Sequence, residues 1–282
     1  MKSMHLFIWG VLATTITSIN NSHAETAFSE RFSLSLGASV TTFDSSLDLD
    51  AVNSIVDRPI DIEDDLKFDE EINLANFSAY WRFAPRHRIL FDYLPADRTS
   101  SAKLSNDIYF DGDTISAGAD TKANYDTTIY DLSYLYSIYQ SEDLEMGAGV
   151  GLYWMQIDLS ISASGFISSE SQGRGGKAFN ANYKNSGDVD VPLPTLNGFV
   201  SYRVLPSWYL KGNIQYFDLS LDSFYGHMTS VSLSSEYYFT QYWGLGASIS
   251  MLDLDIQSDI SFFRGDLAWA YQGASLYLTA KY

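Results

Sequence analysis

From residue 28 onward, apolar and polar residues alternate with a period of two along most of the chain. The clearest run places Tyr130, Leu132, Tyr134, Tyr136 and Ile138 on one face. Asp131, Ser133, Leu135 and Ser137 lie on the other. Alternation of this kind marks a strand with one apolar and one polar face. Ten such runs follow one another: Phe32–Val40, Asn73–Phe83, Arg88–Tyr93, Tyr130–Ile138, Leu144–Trp154, Leu196–Val204, Trp208–Tyr216, Val231–Phe239, Trp243–Met251 and Asp266–Tyr282. In the last run the apolar positions move from odd to even at Gly273, which predicts a β-bulge there.

Tight turns and long polar connections alternate between the runs. The turns fall at 84–88, 140–143, 205–207 and 240–242, with Pro85 and Pro206 in two of them. Residues 44–69, 105–120 and 162–188 read as long loops, the second with a small hairpin at Asp111-Gly112 and the third made flexible by Gly173, Gly175 and Gly176. The predicted fold class is all-β: a transmembrane antiparallel up-and-down β-barrel of ten strands, with eight as the alternative. Aromatic residues make up 15% of the chain, including 20 Tyr, which suits the aromatic girdles of such a barrel. No stretch of eighteen apolar residues supplies a membrane-spanning helix.

Residues 1–24 read as a signal peptide, with Lys2, an apolar run from Leu6 to Ile19 and small residues at Ser22 and Ala24. The barrel domain is then 25–282. Without that segment 16 Lys and Arg oppose 35 Asp and Glu, a net charge of −19, which excludes a nucleic-acid binder. The chain has no cysteine, in keeping with passage through an oxidising periplasm.

If the apolar faces meet lipid, the alternate positions line the lumen. Arg82, Asp92, Asp131, Glu145, Arg203, Lys211, Glu236 and Lys281 are expected there as a pairing network that fills the interior. A polar permeation path through them is the sharper alternative. Gly147, Gly149 and Gly151 on one inner face are expected to make room for Tyr209 or Tyr238, or for a small ligand. Asp61, Glu63, Asp64 and Asp65, in the most acidic stretch, are candidates for a divalent-cation loop, although their spacing matches no EF-hand. No cofactor is implied. Enzymatic chemistry is weakly signalled: His227 precedes the hydroxyl of Thr229 by two residues, position 225 is Tyr rather than Asp, and Asp253 and Asp255 have no histidine beside them in sequence. The chain reads as a non-enzyme with no catalytic residues. His87, with Arg86 and Arg88, is expected to face inner-leaflet phosphates.

The last strand, Ala274–Tyr282, ends on an aromatic residue and resembles the sorting signal of Gram-negative outer-membrane barrels. Tyr80–Arg88, Tyr130–Ser137 and Gly244–Ala247 with Leu252–Asp255 together resemble an uncharacterised family of proteobacterial outer-membrane proteins, loosely grouped with OmpA-type and OmpW-type small barrels. The resemblance implies an outer-membrane location and no assigned activity. The expected partners are outer-membrane lipid, lipopolysaccharide and, through Tyr282, the barrel-assembly machinery, with the protein monomeric. The leading function is a structural, surface-interaction or small- or lipidic-ligand-binding barrel. A narrow pore and a rim enzyme, lipid acyl hydrolase or protease, are the alternatives.

Overall fold

The computed structural model describes residues 28, 30–49, 59–110, 113–169, 179–260 and 263–282. Residues 1–24, read as a signal peptide, the Asp111-Gly112 turn and Gly173, Gly175 and Gly176 lie outside the described residues.

Ten long strands close a ring: β1 (Phe32–Leu49), β3 (Glu71–Ala84), β4 (His87–Lys103), β7 (Asp120–Gln140), β8 (Leu144–Ser169), β9 (Phe179–Leu205), β10 (Trp208–Leu221), β11 (Phe224–Tyr238), β12 (Trp243–Ile260) and β13 (Phe263–Lys281). Each pairs antiparallel with its neighbours, and β1 pairs with β13 from Ser33↔Lys281 to Leu49↔Gly265. Backbone bonds between Phe32 and Tyr282 seal the closure, so the lower part of the ring has no edge. Three short strands, β2 (Ile60–Asp61), β5 (Ile108–Phe110) and β6 (Asp113–Ile115), lie above it. The last two form the hairpin expected in the second loop.

The ten strands are longer than the sequence runs. A tilted strand needs about 9–11 residues to cross the hydrocarbon, yet β8 has 26 residues and β9 has 27. Much of what reads as polar loop is strand. Along β7 the outward residues change from Tyr130, Leu132 and Tyr134 to Lys122, Asn124 and Asp126, while the inward ones change from Asp131 and Ser133 to Ala123 and Tyr125. Side-chain parity holds across this change; the solvent on each side is what switches. Below the change the wall faces lipid and the lumen is polar. Above it the wall faces water and the interior is apolar.

Gly273 marks the same change and is not a bulge. Its register runs unbroken on both sides, opposite Thr41 and Ser250. The apolar residues move from inward Trp269 and Tyr271 to outward Ala274, Leu276 and Leu278 because the strand passes from water into lipid. Tyr93, Tyr130, Trp154 and Tyr216 form the upper girdle of the apolar wall. Phe83, Trp208, Phe239, Trp243 and Tyr282 form the exposed lower girdle.

Two seams open above the girdle. Pairing of β3 with β4 ends at Phe77↔Tyr93, and pairing of β9 with β10 ends at Tyr216↔Leu196. The upper part is therefore two sheets facing one another across a shared core that includes Phe43, Leu66, Tyr125, Ile157, Leu254 and Trp269. Burying an apolar side chain of this size contributes about 1.5–3 kcal/mol, so this core carries its own stability. The segment 60–68 bridges the first seam: β2 pairs with β1, and Ser100 donates its hydroxyl to the Leu66 carbonyl at 2.5 Å.

Candidate functional site

The lumen below the core is a polar chamber of about 320 Å³. Its walls carry hydroxyls from Ser33, Ser35, Ser78, Ser230, Ser232, Ser234, Ser248, Ser250 and Ser275. Serine fits here because the inward face must be polar while ten strands leave little width.

The charged residues expected to form one network fall into three groups. At the lower end Arg82 donates two bonds to Glu145, Nη1 to Oε1 at 2.9 Å and Nη2 to Oε2 at 2.8 Å. Ser137 donates a further hydroxyl to Glu145 Oε1. On the neighbouring strand Arg88 Nη1 stands 3.6 Å from Glu145 and its guanidinium caps the Phe199 ring at 3.2 Å. The second group is Lys211, which donates to Glu236 at 2.7 Å, with Tyr238 and Tyr277 donating their hydroxyls to the same carboxylate at 2.9 and 3.1 Å. Lys281 stands 3.9 Å above the Tyr238 ring. The third is Asp92 and Asp131, directly opposite one another on β4 and β7. Ser78 donates to Asp92, while Gln215 and Ser133 donate to Asp131.

Arg203 is not part of the lumen groups. It donates Nε to Asp143 at 2.7 Å and Nη2 to Glu142 at 3.2 Å, in the turn before β8, because it lies at the lower rim where that turn is within reach. Arg88, read from sequence as part of a basic turn facing lipid phosphates, takes the luminal place instead. Its phase shows this: Ile89, Phe91 and Tyr93 point outward, so Arg88 points inward. His87 does face outward, with Nδ1 2.6 Å from the Tyr134 hydroxyl and its ring against Tyr136. The three inner glycines make room for other neighbours than expected. A Cβ on Gly147 would meet the Phe199 ring at 2.6 Å, and one on Gly151 would meet Asn197, Ser133 and Thr195 at 2.6–2.7 Å.

The four acids of the proposed cation loop do not converge. Glu63 turns inward, where Arg98 donates to it and the Ser45 backbone N–H donates at 2.8 Å. The guanidinium of Arg98 lies 4.8 Å from the Phe43 and Tyr125 ring centres. Asp65 accepts from the Asp61 N–H at 3.1 Å and from Asn106 at 3.2 Å; Asp61 accepts from the Asp64 N–H at 2.6 Å. These carboxylates tie the segment 60–68 together and onto the barrel mouth. Partial burial and the neighbouring carboxylates, offset in part by that N–H, push the Asp61 pKa up. Among the described residues, no group of three or more His, Asp and Glu stands where it could hold a metal ion.

Sequence reading missed an acidic row on the outer wall. Asp97, Asp126, Asp158 and Asp188 are successive cross-strand partners on β4, β7, β8 and β9. They lie just above the upper girdle. Partial burial and the Asp97 and Asp158 charges raise the Asp126 pKa.

No family model matches the sequence, and no curated protein matches it. Solved structures do. The outer-membrane protease OmpT of Escherichia coli aligns with a TM-score of 0.56 at 12% identity, over 89% of this chain and 97% of that one. The toluene transporter TodX of Pseudomonas putida aligns at 0.37 and 10% identity, over 90% of each chain. The attachment protein Ail of Yersinia pestis aligns at 0.34 and 8% identity, over 90% of this chain and 99% of that one. All are outer-membrane β-barrels of Gram-negative bacteria. This chain shares the β-barrel fold of the first of these. The narrower resemblance to OmpA-type and OmpW-type barrels reduces to this common architecture.

Proposed function

We propose that the protein is a closed, non-conducting barrel that holds a rigid β-structured head above the outer membrane for surface interaction. The observation that carries this reading is the apolar core over the chamber, with Leu254, Ile256, Leu267 and Trp269 buried across the path of any solute. The Arg82–Glu145–Arg88 and Lys211–Glu236 groups fill the lower end. Phe28 packs beneath them, edge-on to Tyr209 with ring centroids 6.1 Å apart. A solute would have to displace both layers.

Lipopolysaccharide is the partner this surface suits. The row Asp97, Asp126, Asp158 and Asp188 stands at headgroup depth, where divalent cations shared with lipid phosphates would relieve its repulsion. Assembly through the strand ending at Tyr282, and a monomeric state, belong to the same reading. Refolded protein in planar bilayers is expected to give no unitary currents. Steady currents that are lost on neutralising Asp92 and Asp131 would replace this reading with the narrow pore. Binding to lipopolysaccharide that is unaffected by chelation and by removal of the acidic row would remove the lipid assignment alone.

A further inference from the structure

His227 finds on the outer wall the partners it lacks in sequence. β10 and β11 pair so that Asp218 lies opposite His227 and Tyr216 lies opposite Thr229. By strand parity all four side chains point away from the lumen. Asp218 Oδ2 lies 3.5 Å from His227 Nδ1, and Thr229 Oγ1 lies 3.3 Å from His227 Nε2. Tyr216 donates its hydroxyl to the same Asp218 oxygen at 3.0 Å, and its ring meets the imidazole edge-on at 5.6 Å. Carboxylate, imidazole and hydroxyl thus stand in sequence, and the tautomer with its proton on Nδ1, toward the carboxylate, has Nε2 free as a base toward the hydroxyl.

We propose that Asp218, His227 and Thr229 form an acyl-transfer site for the carboxylic esters of outer-leaflet lipids. Depth favours this over a surface hydrogen-bond cluster. Tyr216 belongs to the upper girdle, so Thr229 beside it stands at the boundary between hydrocarbon and headgroups, where lipid ester carbonyls lie. From β12, Asp255 lies opposite His227 and Asp253 lies opposite Thr229.

Thr229 Oγ1 attacks the ester carbonyl carbon, and its proton passes to His227 Nε2. The carbon–oxygen bond to the alcohol then breaks, and the alcohol leaves with the proton from Nε2. Water attacks the acyl-Thr229 ester in the same way: His227 takes one proton from it, its hydroxyl joins the acyl carbon, and Thr229 recovers the proton as the fatty acid leaves. The sum is ester plus water to acid plus alcohol.

The test uses the full-length protein refolded in phospholipid–detergent micelles, with p-nitrophenyl palmitate and a phospholipid carrying a labelled acyl chain. Folding of each variant is checked by heat-modifiable mobility on SDS gels. Folded wild type is expected to release label and to carry a palmitoyl adduct on Thr229 located by peptide mass spectrometry. Thr229→Val and His227→Asn should abolish both, and Thr229→Ser should retain them. Asp218→Asn should slow release roughly 100-fold or more by favouring the wrong imidazole tautomer. Folded wild type with neither adduct nor release, or release that survives Thr229→Val, overturns the proposal.

Discussion

Arg82 grips Glu145 through two parallel N–H···O bonds of 2.9 and 2.8 Å inside the barrel, and Glu145 is fully buried. The carboxylate also answers Arg88, so one acid holds two guanidinium groups. Removing one member of a buried pair leaves an uncompensated charge and costs about 3–5 kcal/mol. Glu145→Gln should therefore lower the unfolding free energy, measured by urea titration of refolded protein in lipid vesicles, by that amount, with the loss greater than for Arg203→Gln at the rim. Equal effects would mean the lumen pair is not a structural anchor.

Arg98 links the segment 60–68 to the mouth. It donates to Glu63 and to the Ser45 hydroxyl while stacking near two aromatic rings. Arg98→Met keeps most of the volume and removes the charge, leaving Glu63 buried without its cation. The segment should loosen while the ring below stays closed. Limited proteolysis of intact cells should then cut within 60–68 in the variant and not in wild type, with the heat-modifiable band unchanged.

Asp126 stands between two aspartates on the outer wall and should behave oppositely. Its pKa is raised in the folded state by burial and by Asp97 and Asp158. A raised acid favours the folded state in its protonated form, so its contribution is complete below the unfolded carboxylate range and is lost as pH rises through the raised value. At neutral pH the charged row opposes folding, and Asp126→Asn should raise stability by about 0.5 kcal/mol, the scale of a like-charge cross-strand pair. Melting curves at pH 7 and pH 3.5 check this: the gain should appear at the first and vanish at the second.

Loss of β13 should abolish the fold. The strand is paired along both sides, to β1 and to β12. A chain ending at residue 262 would expose two edges in lipid, each backbone group left unsatisfied there costing several kcal/mol. A truncated chain that still resists SDS at room temperature would contradict this.

Most of the lipid-spanning fold was legible in the chain because one rule, apolar outward and polar inward, holds from Phe32 to Val40 and again in every later run. The upper half was not. There the same strands keep their parity but exchange solvents, so Tyr125, Ile157 and Leu254 point inward from residues that lie beyond the alternating runs read from sequence. The lumen charges were legible residue by residue except Arg88, which its own strand phase places inside, and Arg203, which a nearby acidic turn captures. The pairing of Asp218 with His227 was hidden because the two residues meet only through the β10–β11 register, which no local spacing announces.

The exchange of faces at Gly273 also gives the molecule a waterline. Shift the barrel inward by a few residues and Asp97, Asp126, Asp158 and Asp188 enter hydrocarbon; shift it outward and Met251, Ile249 and Leu276 meet water. Charged side chains placed on the lipid face of such barrels cost up to about 2–4 kcal/mol each for the basic residues at mid-depth, and less for acids. Summed over a row, even the smaller penalty allows a single draught. The protein floats at one depth, and whatever it displays above the membrane is displayed at a fixed height.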